Sequence, residues 1–462
     1  MKRPGVRMVG RAFRTTLVLS LALGLGACAT TRTASPNISD YLKLQDAWST
    51  TVQSQGTWSD AWVATYNDPV LSQLVAEAFS KNPSLDAARA RLDQARALTR
   101  ITSAALRPGL DFRSDVSGGG SDGDTSGSVS IGGSASWEAD LWGRLRAAER
   151  GAARSADVVA EDLRGIRFAL AASVTEAYFL AIEADLQSKE AARNFEALRD
   201  NLSFIEVQYE RGLRSGQEIA LIRADVARAR ARTTAADNAQ VQSLRTLEAL
   251  VGRYPSAELE VPDTLPAVPA KQNAGTPASL LLRRPDLRAA RSRIDAVSAD
   301  VDEAVAARLP RLTLDGSISL GGDGSSTLFR PESLIWNAAG SILAPLIDGG
   351  RRRAEVVRQE ARLEESLALY RDTALGAFRN VETLLDRQSA LDSQMDDTAS
   401  ALSEARNALN FTRFRFENGD GNLFDVLSVQ QRVSLLERSL IGLRRERLVQ
   451  HAQLGLELGG SP

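Results

Sequence analysis

The sequence predicts a mainly α protein with a transmembrane β-barrel portion, built from a duplicated helix–strand–strand–long helix–helix unit. Three observations carry this. First, two proline-free runs have the same length: Gly143 and Gly212 lie 69 positions apart, as do Gly350 and Gly419. Read as helix at ~1.5 Å per residue, each run is roughly 100 Å long, far more than a globular domain uses. Second, residues 83–110 align without a gap on 285–312, with identities at Pro83, Leu85, Ala87, Ala88, Arg89, Arg91, Asp93, Ala97, Ala104, Ala105, Pro108 and Leu110. Third, the hydrophobic period switches from helical to two after Pro108 and again after Pro310.

Composition narrows the function classes. The chain has 462 residues, 43% of them hydrophobic and 25% charged, which is the content of a folded protein. A formal net charge of −2, with acids and bases interspersed along the helices, gives no footprint for nucleic acid. Aromatics make up only 5%, and abundant alanine implies close helix contacts. The single histidine, His451, has no metal-ligand neighbours in sequence and reads as a surface or packing residue. No Walker-type loop, histidine pair or serine-nucleophile turn is present, so neither catalysis nor a metal is expected. The run Asn418-Gly419-Asp420-Gly421-Asn422 lacks the spaced acids and terminal Glu of a calcium loop.

Taken in order, residues 1–27 read as a secretory signal: Lys2, Arg3, Arg7, Arg11 and Arg14 form a basic leader before the short apolar segment 17–25. Leu25-Gly26-Ala27-Cys28 resembles a bacterial lipobox, in which cleavage leaves Cys28 as an acylated N-terminus. Cys28 is the only cysteine, so no internal disulfide is possible. Ala29 follows it, with no Asp to act as an inner-membrane retention signal, which favours the outer membrane. Residues 28–61 are then a polar, lipidated tether. The first repeat spans 62–252, with a helix start at Asp68-Pro69-Val70-Leu71, a β-hairpin over 109–138 and the long helix over 143–211. A proline-rich linker occupies 253–284. The second repeat spans 285–459, with its hairpin over 311–345 and its long helix over 350–418.

In the hairpins Leu110, Phe112 and Val116 alternate with Asp111, Arg113, Asp115 and Ser117, and Leu312, Leu314, Ile318 and Leu320 with Thr313, Asp315, Ser317 and Ser319. The return strands carry Val129, Ile131, Ala135 and Trp137, and Trp336, Ala338, Gly340 and Ile342. Glycine–serine clusters at 118–127 and 321–326 separate the strands, leaving roughly 9–11 residues each, enough to cross a bilayer when tilted. Four strands cannot close a barrel, and an open edge cannot sit in lipid, so subunits must pool their strands. Each long helix matches in length the short helix before the hairpin plus the returning helix after it. Antiparallel packing of those pieces gives a tall helical wall.

The chain resembles an outer-membrane factor of the TolC superfamily, in the lipoprotein branch (NodT-like, OprM-like) of tripartite RND-type efflux systems. The resemblance rests on Asn67-Asp68-Pro69-Val70-Leu71, Trp137-Glu138-Ala139-Asp140-Leu141-Trp142-Gly143-Arg144, Arg211-Gly212-Leu213, Arg284-Pro285-Asp286-Leu287, Pro345-Leu346-Ile347-Asp348-Gly349-Gly350-Arg351 and Leu454-Gly455-Leu456-Glu457-Leu458-Gly459. It covers the chain from about Trp62 to the end. It implies a homotrimer whose pooled strands form a twelve-stranded barrel continued by a helical tunnel, the whole a passive duct in the outer membrane. The implied partners are a periplasmic adaptor (membrane fusion protein) and an inner-membrane RND-type transporter, with no cofactor beyond the covalent lipid on Cys28.

The resemblance also implies a periplasmic gate in Asn422-Leu423-Phe424-Asp425-Val426-Leu427-Ser428. Asp425 falls on an acidic constriction position, Ser428 stands where a second acid is often found, and Phe424 supplies an apolar alternative. Asp425 also suits a helix N-terminus on dipole grounds alone. The adaptor-facing tip would comprise Gly212, Leu213, Ser215 and Gly216 with Gly419, Asp420, Gly421 and Asn422. Two other readings remain: the outer-membrane component of a type I protein secretion system, and a periplasmic adaptor-like helical-hairpin lipoprotein. The duplicated strand pairs argue against the second.

Overall fold

The computed structural model describes residues 45–50, 61–121, 124–271, 273–322 and 330–460. Cys28, the signal segment and most of the tether lie outside the described residues. A 3₁₀ turn at Val63–Tyr66 leads into α1 (Pro69–Lys81) and α2 (Pro83–Ala104), then strands β1 (Gly109–Ser121) and β2 (Asp124–Ala139). Helices α3 (Arg144–Glu210) and α4 (Gly216–Leu250) follow, then the short α5 (Pro277–Arg283). The second half repeats the order with α6 (Pro285–Ala306), β3 (Arg311–Gly322), β4 (Leu334–Leu343), α7 (Arg351–Glu417) and α8 (Leu423–Glu457). Helix lengths repeat without change: 22 residues for α2 and α6, 67 for α3 and α7, 35 for α4 and α8.

The chain forms two compact units, and neither is one repeat. Among the described residues the first comprises Leu92–Val159 and Ala290–Tyr370, and the second those of 45–91, Ala160–Ala289 and 371–460. Each unit therefore draws on both halves of the sequence.

The first unit holds a four-stranded antiparallel sheet in the order β1-β2-β3-β4. Its register sorts the side chains by face. Leu110 pairs with Ala135, which pairs with Gly316 and then Ala338, while Ile131 pairs with Leu320 and Ile318 with Trp336. Moving one residue along every strand gives Asp111, Ser134, Ser317 and Asn337 in the same rank. One face is thus apolar and the other polar, the alternation a membrane strand requires. The apolar face is uncovered by this chain: Leu110, Phe112, Val116, Ile318, Trp336 and Ile342 are all more than half exposed. The polar face closes tightly at one point, since a Cβ on Gly132 would lie 2.5 Å from the Ile318 carbonyl oxygen.

Three strands run longer than the sequence implied, β1, β2 and β3 at 13, 16 and 12 residues, while β4 has the expected length at 10. The glycine–serine cluster read as a separator is itself paired, Gly118 with Gly127 and Ser117 with Ser128. Ladder pairing is made by backbone groups, so weak side-chain propensity does not end it. Below the sheet, Arg144 grips both Glu138 and Glu303, Arg150 pairs with Asp302, and Thr99 Oγ1 donates to Ala152 O, fixing α3 against α2 and α6.

In the second unit the core is built from Trp62, Leu71, Tyr178, Phe179, Ile182, Leu247 and Leu448, all fully buried. Asp68 caps α1 through Val70 and Leu71 N–H and accepts from Tyr178 OH at 2.7 Å, so one side chain ends a turn and anchors it to α3. Arg284 forks onto Asp286 at 2.7 Å and donates to the Glu457 carbonyl at 2.8 Å, tying the start of α6 to the end of α8. Two expectations need correction. The span read as linker contains α5, with Pro277 at its first turn, where a fixed φ favours a helix. The part of the tether that is described is docked: Trp48 Nε1 donates to Gly275 O, and Glu382 accepts from Ser49 and Thr50 N–H.

Candidate gate at the helix-hairpin tips

Two helix turns meet here, and they end their long helices in the same way. Gly212 N–H donates to Tyr209 O and Leu213 N–H to Gln208 O, while Gly419 donates to Phe416 O and Asp420 to Arg415 O. This double bond pattern needs a left-handed residue, and Gly212 and Gly419 sit at φ +75° and +85°. Gly421 is required for a different reason: its Cβ would fall 2.6 Å from Phe416 N. Gly216 is not constrained, since a Cβ there meets nothing within 4 Å.

The helices that leave the turns are capped by equivalent residues. Ser215 forms a capping box with Glu218, whose Oε2 accepts Ser215 N–H at 2.8 Å. That backbone hydrogen bond, with Arg214 nearby, holds the Glu218 carboxyl below its usual range. In the second turn Asn422 caps α8 by accepting Phe424 N–H at 3.0 Å, and Asp425 lies in the first helical turn. The two hairpins are joined through Phe416, which packs edge-on to Phe204 at 6.0 Å and lies under the Arg214 guanidinium at 4.9 Å.

Helix α8 has two buried faces at this end. Leu423 and Leu427 pack with Leu198, Ile205, Ile219 and Ile222 of the α3–α4 hairpin. Val426 and Val433 pack with Leu402, Ala405 and Leu409 of α7. The helical period then leaves Phe424, Asp425 and Ser428 on the remaining, exposed face, where the structure brings them together. Ser428 Oγ donates to the Asp425 carbonyl at 3.1 Å, which makes it a helix-bound hydroxyl with no negative charge. Asp425 is paired with no cation within 4.0 Å among the described residues, so the exposed face carries an uncompensated carboxylate. Leu213, Ser215, Gly216, Asp420 and Asn422 are also exposed at the tip.

One feature of this region went unread in the sequence. Beyond Ser428 the exposed face of α8 opens onto a groove of about 440 Å³ against α3 and α4, lined by Arg228, Arg232, Arg432 and Arg438. In a chain with 56 basic residues, four arginines spread over two helices give no local signal.

The family described as Outer membrane efflux protein matches residues 74–253 and 276–460. This chain belongs to that family. The matched segments start 202 positions apart, the same offset that relates residues 83–110 to 285–312. The pyoverdine export outer membrane protein OpmQ of Pseudomonas aeruginosa is 31% identical over 96% of each chain. The cation efflux system protein CusC of Escherichia coli O6:H1 is 27% identical over 86% of this chain and 88% of its own. A crystal structure of a membrane protein from Pseudomonas aeruginosa superposes with a TM-score of 0.84 at 26% identity, covering 93% of this chain and 100% of that one. The chain is an outer-membrane efflux channel of the TolC superfamily.

Proposed function

We propose that this protein is the exit duct of a tripartite efflux pump, a homotrimer that conducts small molecules passively once docked to a periplasmic adaptor and an inner-membrane RND-type transporter. The sheet carries the proposal. It has four strands, one apolar and one polar face, and an unpaired edge on both β1 and β4 among the described residues. Lipid tolerates neither an open edge nor a half-solvated sheet, so identical chains must supply the missing pairings. Three chains of four strands give an even-numbered barrel with the apolar face outward and a polar lumen.

In this reading Cys28 is the acylated N-terminus that holds the chain to the outer membrane, and residues 28–61 are its tether. The tip residues Gly212, Leu213, Ser215, Gly216, Gly419, Asp420, Gly421 and Asn422 face the adaptor. Asp425, repeated by symmetry, forms a ring of carboxylates that favours cations at the periplasmic constriction, with Phe424 and Ser428 beside it. No catalytic step is assigned. The OpmQ relative is named for pyoverdine and CusC for cations, and both align along nearly all of this fold. A duct that leaves cargo choice to its pump accounts for that breadth.

Native mass spectrometry of the full-length protein extracted in detergent tests the assembly. Three copies per particle, dissociating on heating, are expected. A folded, monodisperse monomer would overturn the pooled-strand reading.

A further inference from the structure

Arg228, Arg232, Arg432 and Arg438 converge on a groove whose floor includes the buried Leu198 and Ala229 and whose walls add Asn194, Gln431 and Ser428. Its one acidic lining residue, Asp225, is already held by Arg228. Arg438 has the buried Glu190 carboxylate behind it, but at 3.8 Å, while Glu190 accepts its close hydrogen bond from Ser434 Oγ at 2.6 Å. Arg232 and Arg432 have no carboxylate within 4.0 Å among the described residues. Burial, reinforced by the like charge of Arg232, pulls the Arg438 guanidinium below its ordinary value. The groove thus holds two cations, Arg232 and Arg432, with no matching anion among the described residues, beside two that already have a carboxylate, and this local excess of positive charge favours an entering anion.

We propose that this groove is a binding site for a small multivalent oxyanion, a solute bearing phosphate or carboxylate groups, held by the guanidinium forks of Arg232, Arg432 and Arg438. Guanidinium groups bind both oxyanion types bidentately. A volume of about 440 Å³ suits a small organic anion. The apolar floor excludes water on one side, which strengthens each charge-assisted bond. The groove starts at Ser428, one turn from Asp425, so a cation-favouring carboxylate and an anion-favouring patch sit side by side on α8. The proposal concerns binding alone and stands whether or not the protein conducts.

Isothermal titration calorimetry on the detergent-solubilised full-length protein tests it, with pyrophosphate and citrate as separate probes. Arg232 and Arg432 are exposed, so their replacement by glutamine leaves the fold intact, checked by an unchanged melting temperature. Wild type is expected to bind at least one probe saturably, and Arg232→Gln/Arg432→Gln to weaken it at least tenfold. Arg432→Lys should retain part of the lost affinity, because charge remains while the fork is gone. Arg223→Gln, which breaks only the pair with Glu206 outside the groove, should leave affinity unchanged. Binding of pyrophosphate alone assigns a phosphate-bearing solute, and binding of citrate alone a carboxylate-bearing one. No saturable binding of either probe by wild type, or equal affinity in the double glutamine variant, overturns the proposal.

Discussion

His451 is buried against Tyr66, accepts or donates a 3.0 Å hydrogen bond with Thr65 Oγ1, and lies near the buried Arg447. Burial, with the Arg447 charge adding to it, pulls its pKa down to about 4. Between about 6.5 and about 4 the unfolded chain binds a proton that the folded chain refuses, so stability is complete above this window and falls as pH drops through it. The loss approaches roughly 3 kcal/mol at ~1.36 kcal/mol per pH unit. Glu77, held down to about 2 by its hydrogen bonds with Arg253, adds its own loss only below about 4.5. A plot of melting temperature against pH should therefore fall between pH 6.5 and 4.5 in wild type and be flatter in His451→Gln. Identical slopes would show that the folded ring binds its proton as readily as the unfolded one, contradicting the lowered pKa. Sequence alone left His451 as surface or packing. Its place was not legible because Thr65 and Tyr66 reach it from almost the whole length of the chain away. The residues of the resemblance, by contrast, were legible as motifs but not as roles: Asp68, Arg144 and Arg284 prove to be joints that cap and tie helices.

Element boundaries were the most readable level, and glycine and proline explain why. Each long helix ends at a left-handed glycine, and each short one starts at a proline, so local backbone chemistry announced them. Helix α5 was missed because a run of prolines reads as extended chain, although one of them sits at a helix start. The strand ends were missed because their glycines and serines contribute pairing without side-chain signal. Among those glycines, close approach distinguishes Gly132 from Gly119, which has open space around its Cβ position. Gly132→Val forces β2 and β3 apart and should cost about 1–3 kcal/mol, typical of overpacking. Gly119→Ala should be neutral within about 0.5 kcal/mol. Melting temperatures of the two variants check this, and equal values would show that the β2–β3 contact is not as close as the register places it.

At the scale of the whole molecule, the open sheet edges and exposed apolar face make a single chain incomplete, and the sequence conveyed that through strand count and alternation. The proposed gate was legible only as a set of candidate residues. Asp425 was readable as a candidate and sits exposed on the first turn of α8, yet a constriction is made by several chains and cannot be read from one. The arginine groove lay hidden because its members come from α4 and α8, distant in sequence. Single-channel recording in planar bilayers, wild type beside Asp425→Ala, tests the duct most directly. The account predicts discrete conductance steps in wild type, and larger steps or weaker cation preference in the variant. Steps that Asp425→Ala leaves unchanged would remove that residue from the gate and keep the duct. Folded, trimeric protein that inserts into the bilayer and never conducts would contradict the account.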